Sequence, residues 1–185
     1  MLYAQLHLTL PAWVHDEVDH EKLYPDPASR IALAIDLSRR NVQHRTGGPF
    51  GAAVFSRDGR LLGVGVNRVV PLSNSLLHAE AVAVMGAERR IGSFTLADRS
   101  RELHASCAPC AMCLGAIHWS GVTRLVCGAT REDAESLGFD EGPVFDESYR
   151  YLEQHGVEVV HGIRREEAAE VIQSYLERGG PIYNP

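Results

Sequence analysis

Nowhere does this sequence hold an apolar stretch approaching the ~18 residues that a membrane-spanning helix requires, so no membrane partner is expected. Internal repeats, low-complexity tracts and linkers are also missing, which excludes solenoid arrays and modules strung on flexible segments. Positive charge is short: 18 Lys and Arg stand against 24 Asp and Glu, a formal net charge of −6. Affinity for nucleic acid rests mainly on clustered Lys and Arg, so this balance counts against nucleic acid as a partner. Cysteine is scarce. Of the four present, Cys107, Cys110 and Cys113 fall within seven residues, too close together for ordinary pairwise disulfides. The N-terminus lacks a basic start, and its apolar run is broken by His7 and Pro11, so no signal peptide is expected. These absences point to a reduced, cytoplasmic protein.

What is present is the composition of a soluble globular domain, 45% hydrophobic and 23% charged over 185 residues. One domain of this length buries roughly 70% of the surface that its unfolded chain exposes, and needs no disulfide staples. Residues 1–26 read as an N-terminal arm, and residues 27–185 as a single domain ending in an irregular tail at 179–185. Asp26 is placed to cap a helix whose first residue is Pro27, since proline has no amide to leave unbonded there. Ile31, Leu33, Ala34, Ile35, Leu37 and Val42 give that helix a mostly apolar face, and Gly47-Gly48-Pro49 stops it. Residues 51–56 and 60–66 read as two strands of a hairpin turning at Arg57-Asp58-Gly59. Helical composition follows at 75–90, with His78 in the first turn, then a strand at 103–106 and a helix from Pro109 to Trp119. Strands at 123–127 and 157–160 and a closing helix at 163–178 complete the reading. A hairpin followed by alternating helices and strands predicts an α/β fold: a five-stranded mixed sheet between helices in three α/β/α layers.

Two short motifs carry chemistry: His78-Ala79-Glu80 and Pro109-Cys110-Ala111-Met112-Cys113. Cysteines at i and i+3 of a helix start share a face, so both sulfurs reach one ion. The free amides and positive end of the helix stabilise thiolates there. Two thiolates and the imidazole of His78 make three protein ligands for one Zn2+, leaving the fourth tetrahedral position to water or hydroxide, the mark of a catalytic site. Glu80, roughly 200° around a helix from His78, is not expected to be a ligand. In the first turn it can instead lean over the open position and carry a proton from water to a leaving nitrogen. H-x-E together with P-C-x-x-C is the signature of zinc deaminases that act on nucleobases.

On these motifs the chain resembles the cytidine-deaminase-like superfamily, and within it the bacterial guanine deaminase branch, over about residues 28–185. Further residues carry the likeness. Gly48-Pro49-Phe50-Gly51-Ala52 resembles that branch's first strand, whose aromatic packs on the base. Asn67 matches the residue that hydrogen-bonds the purine, and Cys113 to Trp119 resembles the branch's Trp-bearing helix. Gly138-Phe139-Asp140-Glu141-Gly142 matches the loop that supplies a second carboxylate. The tail around Tyr183 resembles a C-terminal aromatic that closes over the pocket, in some members from the partner subunit. The resemblance implies Glu80 and Glu141 as catalytic residues, and Phe50, Asn67, Ala79, Trp119, Asp140 and Tyr183 as substrate contacts. It implies hydrolytic deamination of a free aminated purine, guanine foremost, by a homodimer. Amino-triazines such as ammeline, guanosine, cytosine and adenosine in tRNA are the alternative substrates. Ala108 departs from the family, which often has Glu before Pro-Cys, and this bears on fine specificity.

Two readings of another kind remain. With Cys107 the motif extends to Cys-x-x-Cys-x-x-Cys, which with Cys127 could hold an iron–sulfur cluster, but His78 and Glu80 then have no part. A structural zinc module would need a closed four-ligand site and would turn nothing over.

Overall fold

The computed structural model describes residues 7–97 and 100–183. Helix α1 (Ala12–Glu17) lies in the N-terminal arm and is followed by α2 (Pro27–Gln43). Asp26 caps α2 as its sequence requires, its side chain accepting the Ser29 amide at 2.8 Å with Pro27 at the first position; such a cap contributes about 1 kcal/mol. The hairpin forms from β1 (Gly51–Phe55) and β2 (Leu61–Val66), and a short helix α3 (Val69–Leu72) fills the loop behind it. Then come α4 (Ala79–Ile91), β3 (Glu102–Cys107), α5 (Ala111–Ser120) and β4 (Arg124–Ala129). Two short helices, α6 (Arg131–Glu135) and α7 (Asp146–Gln154), precede β5 (Glu158–Val160) and α8 (Arg165–Glu177).

The sheet order is β2-β1-β3-β4-β5, antiparallel on the hairpin side and parallel from β3 to β5, the expected mixed sheet. Alternation along the strands sorts the core into faces. Ala52 and Val54 of β1, with Leu103, Ala105 and Leu125, pack against α4, α5 and α7. Ala53 and Phe55 turn to the opposite side and meet Leu33 and Leu37 of α2 with Trp13 and Val14 of α1. On that same side, α8 joins α2 over Val126 through Ala168, Val171 and Ile172. The described part of the arm, residues 7–26, therefore contributes to the core. No described helix is long and apolar enough to cross a membrane.

Two glycines set the depth of α4. A Cβ at Gly63 or Gly65 of β2 would lie 2.5 or 2.0 Å from the carbonyl oxygens of Ala83 and Ala79, so only bare backbone lets the helix rest this close. That approach fixes the start of α4. Here the sequence reading is corrected in two places. Residues 75–78 are not helical; His78 is the N-cap of α4, in extended conformation. Likewise Pro109 precedes α5, whose N-cap is Cys110. Helices α3, α6 and α7 were not expected, because each is too short or too polar to show sustained apolar periodicity.

Candidate active site

The carboxyl end of β3 points between the N-termini of α4 and α5, where the helices' free amides create a positive local field. Into this corner His78 comes from the α4 cap, Cys110 from the α5 cap and Cys113 from the first turn of α5. One ligand atom from each lies within 4.8 Å of the others, and Cys110 Sγ sits 3.5 Å from His78 Nδ1. Tetrahedral zinc with bonds of ~2.0–2.1 Å to nitrogen and ~2.3 Å to sulfur spans an N–S edge of about 3.6 Å. The geometry and the borderline-soft donor set thus fit Zn2+. Hydrogen bonding from Cys113 and from His78 pulls the Cys110 thiol down to about 4, so one thiolate is ready for a cation. Burial lowers the pKa of His78, but the hydrogen bond with Cys110 and the charges of Glu80, Cys110 and Glu141 outweigh it, and the net shift is upward.

Two buried carboxyls face the same cavity. Glu80 stands in the first turn of α4, and Glu141 in the loop between α6 and α7. The Glu141 carbonyl accepts the Ala111 amide at 2.9 Å, which ties that loop to the start of α5. Burial, reinforced by the negative charge of Cys110, pushes Glu80 up to about 7. Burial, then Cys110 and Glu80, push Glu141 up to about 8. Two carboxyls around one cavity, with a thiolate beside them, hold a proton near neutrality.

The remaining wall is aromatic and amide. Phe50 meets Phe139 edge-on with centroids 5.1 Å apart, and Phe139 in turn meets Tyr183 at 5.5 Å. Asn67 Oδ1 accepts the Val69 amide at 3.2 Å, while Nδ2 is buried without a partner. Tyr183 enters from the chain's own tail, its hydroxyl also buried and unpartnered. Together these groups line a small cavity whose free interior, about 20 Å³, is roughly the room of one water molecule.

Of the residues singled out from sequence, His78, Cys110, Cys113, Glu80, Glu141, Phe50, Asn67 and Tyr183 converge here. Three do not. Trp119 is 80% exposed at the far end of α5, edge-on to His118. Ala79 points into the core beneath β2, and Asp140 is exposed, accepting the Gly142 amide. A helix start and a turn each present alternate residues to different sides, so neighbours of a site residue need not share its site. Sequence reasoning missed Ser106, which lines the cavity from β3. Its only signal was its position one residue before Cys107 at the strand's end.

Comparison with known proteins places the chain in a family. Residues 28–129 match the cytidine and deoxycytidylate deaminase zinc-binding region. A guanine deaminase of Bacillus subtilis (strain 168) is 34% identical over 127 residues, covering 69% of this chain and 80% of the relative. The solved guanine deaminase of Nitrosomonas europaea superposes with a TM-score of 0.89 at 36% identity, over 95% of this chain and 98% of that one. A mutant protein crystallised with 8-azaguanine superposes at 0.91 and 36% identity, over 96% and 99% of the two chains.

Proposed function

Because the chain belongs to the cytidine and deoxycytidylate deaminase zinc-binding family, we propose that it is a hydrolytic deaminase that converts guanine to xanthine and ammonia. The observation that carries this is the pair of buried carboxyls, Glu80 and Glu141, lining one cavity beside the His78-Cys110-Cys113 triad. His78, Cys110 and Cys113 would hold Zn2+, which supplies Lewis-acid activation of water at neutral pH. Glu80 takes a proton from the attacking water and delivers it to the exocyclic nitrogen at C2, which leaves as ammonia. Attack at C2 also needs a proton on a ring nitrogen; Glu141 would supply it and be reprotonated by the C2 hydroxyl as the carbonyl forms. Asn67 presents a donor, because its carbonyl oxygen is already taken by Val69. Phe50 and Tyr183 enclose the ring and exclude water.

A homodimer fits one further feature. Helix α5 is mostly apolar, with no clearly polar face, and a helix of that kind is buried in its working state. Yet Trp119 on α5 is 80% exposed, and Phe94, on the turn bonded to the end of α5 through Leu96, is 91% exposed. A second copy covering this face would bury both. Trp119→Asp should then shift sedimentation from dimer to monomer; a variant that sediments as wild type excludes this face. The cytoplasm suits the four free cysteines.

The test is ammonia release from guanine by zinc-loaded protein, beside guanosine, ammeline, cytosine and adenosine-containing tRNA. Guanine turnover with little salt dependence supports the reading. Preference for tRNA, with activity falling steeply as salt rises, overturns it. Silence across the panel favours a structural metal site.

A further inference from the structure

Three polar groups on the cavity wall have hydrogen-bonding capacity that the chain itself leaves unused. Asn67 Nδ2 and the Tyr183 hydroxyl are the first two. The third is Ser106, the penultimate residue of β3, which is 3% exposed. Its Oγ accepts the Gly51 amide at 3.0 Å, and among the described residues its hydroxyl donates no hydrogen bond. A serine hydroxyl is one donor and two acceptor sites. The Gly51 amide holds the oxygen in place while the proton turns freely about the Cβ–Oγ bond. Ser106 lines the cavity, so a bound molecule is what can supply the missing acceptor.

We infer that Ser106 is a substrate-binding residue whose hydroxyl donates a hydrogen bond to an acceptor on the bound heterocycle. The inference rests on the deaminase reading above and narrows its substrate class. The cavity becomes two-sided: Asn67, Ser106 and Tyr183 offer protons, while Glu80 and Glu141 receive or exchange them. A ligand that satisfies both sides must carry oxo or ring-nitrogen acceptors as well as an N–H next to its amine. An amino-oxo heterocycle such as guanine has both; adenine, with neither an oxo group nor a ring N–H beside its amine, does not. A buried hydrogen-bonding group left without its partner costs enough to weaken binding about tenfold or more.

The experiment compares wild type with Ser106→Ala, Ser106→Cys and Ser106→Thr. Steady-state kinetics with guanine give kcat and KM separately. Calorimetric titration gives affinities for guanine, 3-deazaguanine, 7-deazaguanine and 2-aminopurine, which between them remove the ring's acceptors. Expected for Ser106→Ala is a KM about tenfold higher with kcat little changed, and weaker binding of every ligand except the one lacking the acceptor that Ser106 serves. Ser106→Thr should restore guanine binding. Ser106→Cys keeps a weak acceptor for Gly51 but is a poor donor, so it should show the same selective loss even if Ser106→Ala fails to fold. Equal weakening of all four ligands would mean that Ser106 only anchors the strand through Gly51, and would overturn the inference. Unchanged guanine binding in the Ala and Cys variants would do the same. The analogue affinities are read whether or not guanine is turned over, so a wild type that releases no ammonia condemns the deaminase reading separately.

Discussion

Glu80 and Glu102 expose similarly little surface, 8% and 9%, though Glu80 lies deeper in the protein, and their protons are held in opposite ways. Glu102 opens β3, and its carboxylate meets Arg30 of α2 at 2.8 Å, His104 at 3.1 Å and Arg124 at 3.8 Å. Burial alone would raise its pKa, but the hydrogen bonds of His104 and Arg30 override burial and hold it at about 2. At the other end of the strand, Glu80 and Glu141 have no guanidinium beside them among the described residues and rise to about 7 and 8. Burial raises all three acids, and only at Glu102 do partners override it. The paired acid is locked as an anion and serves the fold, tying α2 and the arm to the sheet. The acids at the other end have no cationic side chain locking them as anions among the described residues, the condition for a carboxyl that exchanges its proton.

The sharpest way to break this comparison is Glu80→Gln. If the unpaired end is the chemical end, ammonia release from guanine should fall by about 10²–10⁴, the usual worth of general acid–base catalysis. Thermal stability should hold or rise, because an uncompensated buried acid is removed. Activity within tenfold of wild type would deny Glu80 the proton-carrying role.

The converse substitution belongs at the paired end. Arg30→Met leaves Glu102 buried without its main partner and deprives the Tyr24 carbonyl of its 2.8 Å donor. Breaking a buried pair by deleting one member costs about 3–5 kcal/mol. Urea denaturation should show a loss of that order, with kcat near wild type wherever the variant is folded. A large fall in kcat at unchanged stability would mean that the two ends of β3 are not separable.

Much of this contrast was legible in the sequence, and unevenly so. The metal triad and Glu80 were readable because their spacing fixes them on helix starts, where geometry follows from a few residues. The sheet was readable because alternation and turns mark strands locally. Glu102, Arg30 and Ser106 were not, since nothing short-range announces that residues 72 apart in the chain will pair, or that a strand serine will reach a cavity. Trp119 shows the opposite error. Likeness to a family helix placed it in the site, but a helix has several sides, and packing leaves this residue exposed at the far end of α5.

Acidification measures the paired end more gently. Glu102 has a folded pKa below its ordinary value of 4.5, so it stabilises the fold above that value and loses this contribution as pH falls towards about 2. One such proton sets a slope of at most ~1.4 kcal/mol per pH unit. Denaturant midpoints followed between pH 5 and 2 should therefore decline less steeply in Glu102→Gln than in wild type. Parallel curves would show that this carboxylate is not the one whose protonation loosens the fold.

The smallest expected effect sits where the two halves of the site are closed by the tail. Gly48 lies against Tyr183 so tightly that a Cβ there would come within 2.2 Å of the hydroxyl and 2.8 Å of the ring. The base of the tail is held independently, by the Tyr175 hydroxyl on the Pro181 carbonyl at 2.8 Å and the Gly180 amide on the Tyr175 carbonyl at 3.0 Å. Gly48→Ala should therefore push the tyrosine out of the cavity without releasing the rest of the tail. Losing one wall of the cavity, on the scale of ~1.4 kcal/mol, raises KM for guanine about tenfold. Tyr183→Ala should do the same, and the double variant should be no worse than either single one, because both remove one contact. Additive losses would mean that Gly48 acts on the cavity through Phe50 and β1, and that the unpaired acids are enclosed by the sheet alone.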